Sequence, residues 1–312
     1  MHNLNVHKKF FSKIGFNYLA LGITAIVFQM IIVNIISITN PDYLSDYNIL
    51  CMISSLCNYI LPFPVFYWLM KRLESFKLEK NNPTAKTFAL YLGITFTLMW
   101  IGNMIGLGIT AILSSTIQTD ISNPVHELIN NTDILFNLIV ISIIAPIFEE
   151  FLFRKMLIDR SIKYGARVSI VLSAVLFGLF HGNLNQFFYA ALIGGFFAYV
   201  YIKTGKLIYP IILHAFVNLM GSVVSLILAN AIINLETSIN SFDLTIALLY
   251  LVVCATLVVL GIVGLSRYKK AKFNGEKTKI SLKYPYKTLF MNLGMICFVV
   301  FFIFETIMQA IP

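Results

Sequence analysis

The sequence predicts an all-α, polytopic membrane protein, a bundle of about nine transmembrane helices with eight as the alternative count. Hydrophobic residues make up 58% of the 312 residues and charged residues only 12%. The mean hydropathy of +0.83 is too high for a soluble chain of this length. Apolar windows of roughly 20 residues, the length that a helix needs to cross a bilayer, recur from residue 16 to the C-terminus.

The windows give the predicted spans in order. The first follows the basic residues Lys8 and Lys9, is longer than the core of a signal peptide and has no small-x-small cleavage site, so we expect it to be retained. Short polar connections separate the others, and together they form one integral membrane unit. The spans are 16–38, 48–70, 88–115, 134–156, 168–184, 186–202, 207–233, 244–266 and 288–311.

The distribution of basic residues predicts the orientation. All 23 Lys and Arg residues fall in segments 1–15, 71–87, 154–167, 203–206 and 267–287. The alternate connections carry acids, such as Asp42, Asp120, Glu127 and Asp243, and no Lys or Arg. The positive-inside rule therefore places the N-terminus in the cytoplasm and the C-terminus outside.

This distribution also bears on partners. The net charge of +9 comes from the connections, so it indicates contact with the lipid bilayer and gives no reason to expect nucleic acid. We interpret the basic segment 267–287 as a solvated loop near acidic headgroups. The four cysteines lack C-x-x-C spacing, which favours packing roles over a disulfide framework or a thiolate metal site.

Two adjacent acids occur in the segment I-I-A-P-I-F-E-E-F-L-F-R. A carboxylate inside a membrane costs at least ~2.5 kcal/mol, so Glu149 and Glu150 need a reason to be there. Glu150 and Arg154 are separated by one helical turn and are expected to neutralise each other, which leaves Glu149 available. Pro146 is expected to kink the helix or expose a carbonyl near the acids. The alternative is a helix end at which both acids are solvated.

Two further motifs place polar groups on other predicted helices. In F-G-L-F-H-G-N, Phe177 and His181 share one helix face, and Gly178 and Gly182 suit close helix packing. In Y-P-I-I-L-H-A-F-V-N, His214 and Asn218 share another face. Taken singly, each motif is explained as well by structural hydrogen bonding between helices.

Together, the three motifs favour a catalytic site. In a metal-free interpretation, Glu149 with help from His181 deprotonates a water, and His214 and Asn218 stabilise the oxyanion. The alternative cofactor is zinc, held by Glu149, His181 and His214, although the spacing lacks H-E-x-x-H. A start of the fifth helix at residue 168 would place His181 ~20 Å along it, in the outer half, while Glu149 and His214 would lie nearer the cytoplasm.

These residues resemble the CAAX-protease and bacteriocin-processing family (CPBP, or Abi), which includes CAAX prenyl proteases and lysostaphin-resistance-like proteins. The family pattern E-E-x-x-x-R, F-x-x-x-H and H-x-x-x-N is matched in order by these three motifs. The resemblance spans about 134–230, which we interpret as the catalytic core between N-terminal helices in 1–133 and C-terminal helices in 231–312.

The resemblance implies a glutamate-dependent intramembrane endopeptidase of a prokaryotic cell membrane, with an active site open to the cytoplasm. It implies the catalytic roles given above for Glu149, His181, His214 and Asn218, supporting roles for Glu150, Arg154 and Phe177, and a substrate that is a membrane-associated or lipidated peptide or protein. The main alternative is a non-enzymatic self-immunity or regulatory protein on the same scaffold. A proton-coupled transporter would also use buried Glu and His, but the paired hydropathy halves of such proteins are not evident.

Overall fold

The structure, a computed structural model, describes residues 2–119, 121, 123–268 and 280–310. Of these residues 86% are helical, and none forms a strand. Eight of the described helices are long and apolar enough to cross a membrane, and one further apolar helix is shorter. The prediction of an all-α polytopic bundle is confirmed, and the ninth predicted span is the shorter helix. Asp120 and the middle of the basic segment, 269–279, lie outside the described residues.

The helices are numbered in chain order, and a short 3-10 turn at Pro41–Ser45 connects the first two. They are α1 (His2–Thr39), α2 (Tyr47–Lys71), α3 (Ala85–Ile117), α4 (Pro124–Asn131), α5 (Ile134–Tyr164), α6 (Ala166–Phe180), α7 (Leu184–Thr204), α8 (Ile208–Thr237), α9 (Ser241–Tyr268), α10 (Pro285–Phe290) and α11 (Leu293–Ala310). The predicted span 288–311 is divided between α10 and α11.

Successive long helices alternate in direction, so the connections collect on two faces. On one face the amide N–H of Phe76 donates to the carbonyl of Asp159 at 2.6 Å. On the same face the amide N–H of Ile280 donates to the backbone carbonyl of Lys163 at 3.0 Å. On the opposite face the side chain of Asn48 donates to Asp133 at 3.1 Å. We call the first the basic face, formed by connections 72–84, 205–207 and 280–284. The second is the acidic face, formed by 40–46, 118–119, 123–133 and 238–240.

Helices α6 and α7 form a hairpin that starts and ends at the basic face. Helix α6 has 15 residues, so it rises only ~22 Å before the turn. Gly182 makes this turn with φ of +64°, a conformation that side chains with a Cβ rarely adopt. Asn183 then caps α7 by accepting a hydrogen bond from the amide of Gln186 at 2.8 Å. The predicted span 168–184 was therefore wrong at its end, because His181 lies in the turn and Gly182 is outside the helix.

Helix α5 is longer than predicted. It runs from Ile134 to Tyr164 through two π-helical stretches, Asn137–Ile144 and Phe151–Met156. Glu149 and Glu150 lie between these stretches, near the midpoint of the helix. The expectation that the acids lie near the cytoplasmic end of a helix 134–156 was wrong. The separation in depth between Glu149 and His181 was expected from that helix end, so this expectation was wrong as well.

Helix α7 of the hairpin packs tightly against α3. An added Cβ at Gly102 would lie 2.7 Å from the Cβ of Tyr189 on α7, so glycine allows the two backbones to approach. Next to α5, a cluster of fully buried aromatic rings includes Tyr18, Phe66 and Phe153. This cluster fills the bundle between the paired acids and the basic face.

Candidate active site

A buried ion pair forms the base of the site. Glu150 and Arg154 are both 0% exposed, and the Nη2 of Arg154 donates to Oε1 of Glu150 at 3.1 Å. Their second contact, Nε to Oε2 at 2.9 Å, is an ion pair whose direction departs from hydrogen-bond geometry. Arg154 also donates to the Ser173 hydroxyl at 3.1 Å. The pair predicted from the sequence spacing is present, and the solvated helix end is excluded for Glu150.

His214 connects this pair to Glu149. Its Nδ1 lies 2.9 Å from Oε1 of Glu150, and its Nε2 lies 3.7 Å from Oε2 of Glu149. Because Glu150 is ion-paired and accepts hydrogen bonds, we assign the proton of neutral His214 to Nδ1. The Nε2 lone pair then faces Glu149. The structure brings His214 close to Glu149, and the predicted pairing of Glu149 with His181 stays a prediction.

Of the two adjacent acids, Glu149 is the one with a carboxylate oxygen left to bind another group. Its side chain is 12% exposed, and its Oε1 accepts a hydrogen bond from the hydroxyl of Tyr59 on α2 at 2.5 Å. Its Oε2 is buried and has no hydrogen-bond partner among the described residues. A buried carboxylate oxygen without a donor is costly, so a water or a substrate group is needed to satisfy it.

His181 stands at the tip of the α6–α7 hairpin. Its Nδ1 lies 2.8 Å from the carbonyl of Phe177, which can only accept, so Nδ1 carries a proton and Nε2 is left for other partners. The Phe177 ring is fully buried between the two histidines, with ring centroids 4.8 Å from His181 and 5.6 Å from His214. The same ring lies 4.5 Å below the guanidinium of Arg154. Phe177 thus fixes the spacing of three polar groups.

Asn218 holds a backbone carbonyl of α5. Its Nδ2 donates to the carbonyl of Ile141 at 2.8 Å. Ala145 donates to Val140 in the i→i−5 register of the π stretch, and Pro146, next in that register, has no N–H to give to Ile141. The expectation that Pro146 exposes a carbonyl near the acids is met, and Asn218 occupies it. One amide hydrogen of Asn218 remains for another acceptor.

All of the residues predicted to be catalytic line one cavity. Its volume is about 1170 Å³, just above the range of roughly 300–1,000 Å³ for small-molecule sites and large enough for several residues of a peptide. Glu149, His181, His214 and Asn218 contribute to its wall, together with Phe177. Glu150 and Arg154 lie behind this wall and do not line it.

Sequence reasoning missed Tyr59. Its contact with Glu149 joins residues 90 positions apart in the chain. The only local signal is the neighbouring pair of polar residues, Asn58 and Tyr59, in an apolar span. That signal is weak, because tyrosine is common in transmembrane helices near the interface.

Comparison with known proteins agrees with the motifs. The family described as "Type II CAAX prenyl endopeptidase Rce1-like" matches residues 131–220. Residues 131–220 are similar to this family. This segment contains every residue of the three motifs, and the resemblance drawn from the sequence is confirmed over this range.

The chain is also similar to a protein of Bacillus subtilis (strain 168) that is named "Putative membrane peptidase YdiL". The two chains are 33% identical over 82 residues, which make up 26% of this chain and 34% of the relative. The chain therefore spans about a third of the length of this curated relative. No solved structure matches the chain.

The zinc alternative depends on the positions of possible ligands. Among the described residues, no group of three His, Cys, Asp or Glu side chains is placed to hold a metal ion. Glu149 and His214 approach each other, but His181 does not complete a ligand set with them. As they stand, the residues do not fit a zinc site.

Proposed function

We propose that this integral membrane protein is an endopeptidase that hydrolyses a peptide bond within the membrane, with Glu149 as the general base. The observation that carries the proposal is the Oε2 of Glu149, which has no hydrogen-bond partner among the described residues and lies 3.7 Å from Nε2 of His214, in a side chain that lines a large cavity. The Rce1-like segment supports the same reaction class.

The geometry suggests how water is activated. Two atoms 3.7 Å apart, such as Oε2 of Glu149 and Nε2 of His214, can both hydrogen-bond one water about 2.8 Å from each. Glu149 takes a proton from this water as the oxygen attacks the peptide carbonyl, and later gives the proton to the leaving amine as the C–N bond breaks. His181, whose neutral ring also has only a lone pair at Nε2, is proposed as an alternative acceptor for the second hydrogen of the water, which keeps the assisting role predicted from the sequence.

We assign the stabilisation of the oxyanion to Asn218. Its remaining amide hydrogen is a neutral donor whose position is fixed by the bond to Ile141. His214, in the tautomer that Glu150 imposes, has no hydrogen on Nε2 and donates there only as an imidazolium. Arg154 and Glu150 hold His214 in place without facing the cavity.

The substrate is proposed to be a membrane-associated or lipidated peptide or protein. The test uses purified protein in liposomes, a farnesylated C-a-a-X peptide, its unlipidated form and a panel of apolar peptides. Glu149→Gln keeps the shape of the side chain, and we expect it to lower kcat by about 10²–10⁴-fold. The matched control is Glu236→Gln, the same change at an exposed position near the end of α8, which should cleave like wild type.

Three results would argue against this mechanism. Cleavage by the Glu149→Gln variant at the wild-type rate would show that Glu149 is not the general base. Loss of cleavage with a chelator and recovery with zinc would establish the metal alternative. Binding without cleavage of any peptide would favour the non-enzymatic immunity or regulatory protein.

A further inference from the structure

Most of the cavity wall comes from one half of the bundle. Helix α1 contributes residues from Gly22 to Val33, in its second half, and α5 contributes residues from Val140 to Glu149, in its first half. Helix α11 contributes residues from Phe301 to Gln309, again in its second half. Because these helices alternate in direction, all three stretches lie between Glu149 and the acidic face. The wall also includes Asn130 of α4, which belongs to the acidic-face connection.

The opposite side of Glu149 is closed. The next turn of α5 toward the basic face contains Leu152 and Phe153, both 0% exposed. The hydroxyl of Tyr18 donates to the carbonyl of Leu152 at 2.6 Å, and the Tyr18 ring packs on Phe66 and Phe153. Interiors packed in this way leave no room for a peptide. A substrate therefore reaches Glu149 from the acidic face or from the lipid on that side.

The charge of the cavity wall is also one-sided. Among the described residues that line it there are two acids, Glu149 and Glu305, and no Lys or Arg. The buried cation behind the reacting groups, Arg154, is paired with Glu150. Clefts lined by one sign of charge in a low-dielectric surrounding attract the opposite sign and repel their own.

From these observations, and resting on the proposed peptidase function, we infer that the cavity takes a neutral or cationic peptide segment that enters from the acidic face. A segment that ends in a free carboxylate at the site would meet two acids and, among the described lining residues, three histidines but no Lys or Arg. All 23 Lys and Arg residues lie outside the acidic-face connections, so the positive-inside rule makes this face the non-cytoplasmic one. The inferred substrate is thus an exported or outer-leaflet peptide, in contrast to the cytoplasmic access implied by the family resemblance.

Access is tested by labelling single cysteines with a membrane-impermeant maleimide. The four native cysteines are first replaced by alanine. Ser54→Cys then reports on the cavity, Asn130→Cys on the acidic face and Lys80→Cys on the basic face, and each wild-type side chain is partly or fully exposed. We expect Ser54→Cys and Asn130→Cys to be labelled in intact cells, and Lys80→Cys only in inverted vesicles.

Labelling of Ser54→Cys only in inverted vesicles, together with Lys80→Cys, would overturn access from the acidic face. Labelling of Asn130→Cys only in inverted vesicles would overturn the non-cytoplasmic placement. Neither readout depends on catalysis, so the inference about access and the proposed peptidase function can fail separately.

The charge preference is tested with two peptides that differ only by Lys or Glu at one position beside the cleaved bond. We expect kcat/KM to favour the Lys peptide by about tenfold or more, and Glu305→Gln to reduce this ratio. Glu236→Gln, outside the cavity, should leave the ratio unchanged. Equal rates for the two peptides, or a preference for Glu, would overturn the charge preference.

Discussion

Removal of the guanidinium of Arg154 should strongly destabilise the protein. Arg154→Met leaves an apolar chain of similar length beside the Phe177 ring, so the main loss is electrostatic. Glu150, which is 0% exposed, would lose contacts of 2.9 Å and 3.1 Å. Breaking a fully buried pair in this way costs about 3–5 kcal/mol, because an uncompensated charge is left behind.

The double variant Glu150→Gln with Arg154→Met removes both charges. A buried pair replaced by uncharged groups is often close to neutral, so we expect the double variant to recover at least ~2 kcal/mol relative to Arg154→Met. The introduced glutamine side chain retains an amide oxygen as an acceptor for the Nδ1 of His214. The control is Lys155→Met, which breaks another i,i+4 pair on α5, with Asp159 at 2.7 Å, but with Lys155 45% exposed. A solvent-screened pair of that kind is worth at most about 1 kcal/mol.

The free energy of unfolding would be measured by equilibrium titration with denaturing detergent, followed by the fluorescence of Trp68 and Trp100. Two results would refute the reasoning. The first is an Arg154→Met variant within ~1 kcal/mol of wild type. The second is a double variant as unstable as the single one, which would mean that Arg154 acts through packing alone.

Two further predictions concern the groups around Glu149 and His181. Tyr59→Phe removes the hydroxyl that donates to Glu149, and a hydrogen bond to a charged group is worth about 1.5–3 kcal/mol, so kcat should fall roughly 10–100-fold in the peptidase assay. Tyr67→Phe, an exposed change on the same helix, should have no effect, and equal rates for the two variants would contradict the role given to Tyr59. Gly182→Ala forces a Cβ into a positive-φ turn and should lower the free energy of unfolding by about 1–2 kcal/mol while displacing His181. Gly108→Ala, in α3 with open space around it, should be neutral or slightly stabilising, and a similar loss in both variants would show that φ is not the cause.

Much of the fold follows from local properties of the chain. Apolar length predicts most of the spans to within a few residues, because a helix is the only way for one segment to satisfy its own backbone in lipid. The exceptions are informative. Helix α6 stops at Phe180 because Gly182 and Asn183 make a turn, and α5 continues past residue 156 although its sequence there is charged. Hydropathy alone predicts neither the early end of α6 nor the late end of α5.

Some contacts of the candidate site could likewise be predicted from the sequence, and others could not. The contact between Glu150 and Arg154 depends on one helical turn, so its spacing could be read from the sequence. The approach of His214 to Glu149 depends on how α8 packs against α5, 65 residues away in the chain. The hydroxyl that holds Glu149 comes from α2, and no pattern in the sequence links the two helices.

By itself, the sequence determined the fold class, the segregation of basic residues and the set of polar residues brought into the membrane. These depend on hydrophobic length, charge and spacing within single helices. Only the tertiary structure decided which histidine faces Glu149, where the chain turns at His181, and on which side of the acids the bundle is hollow. Those features depend on the packing of distant helices, where the fit of side chains such as Phe153 and Phe177 closes one path and leaves another open.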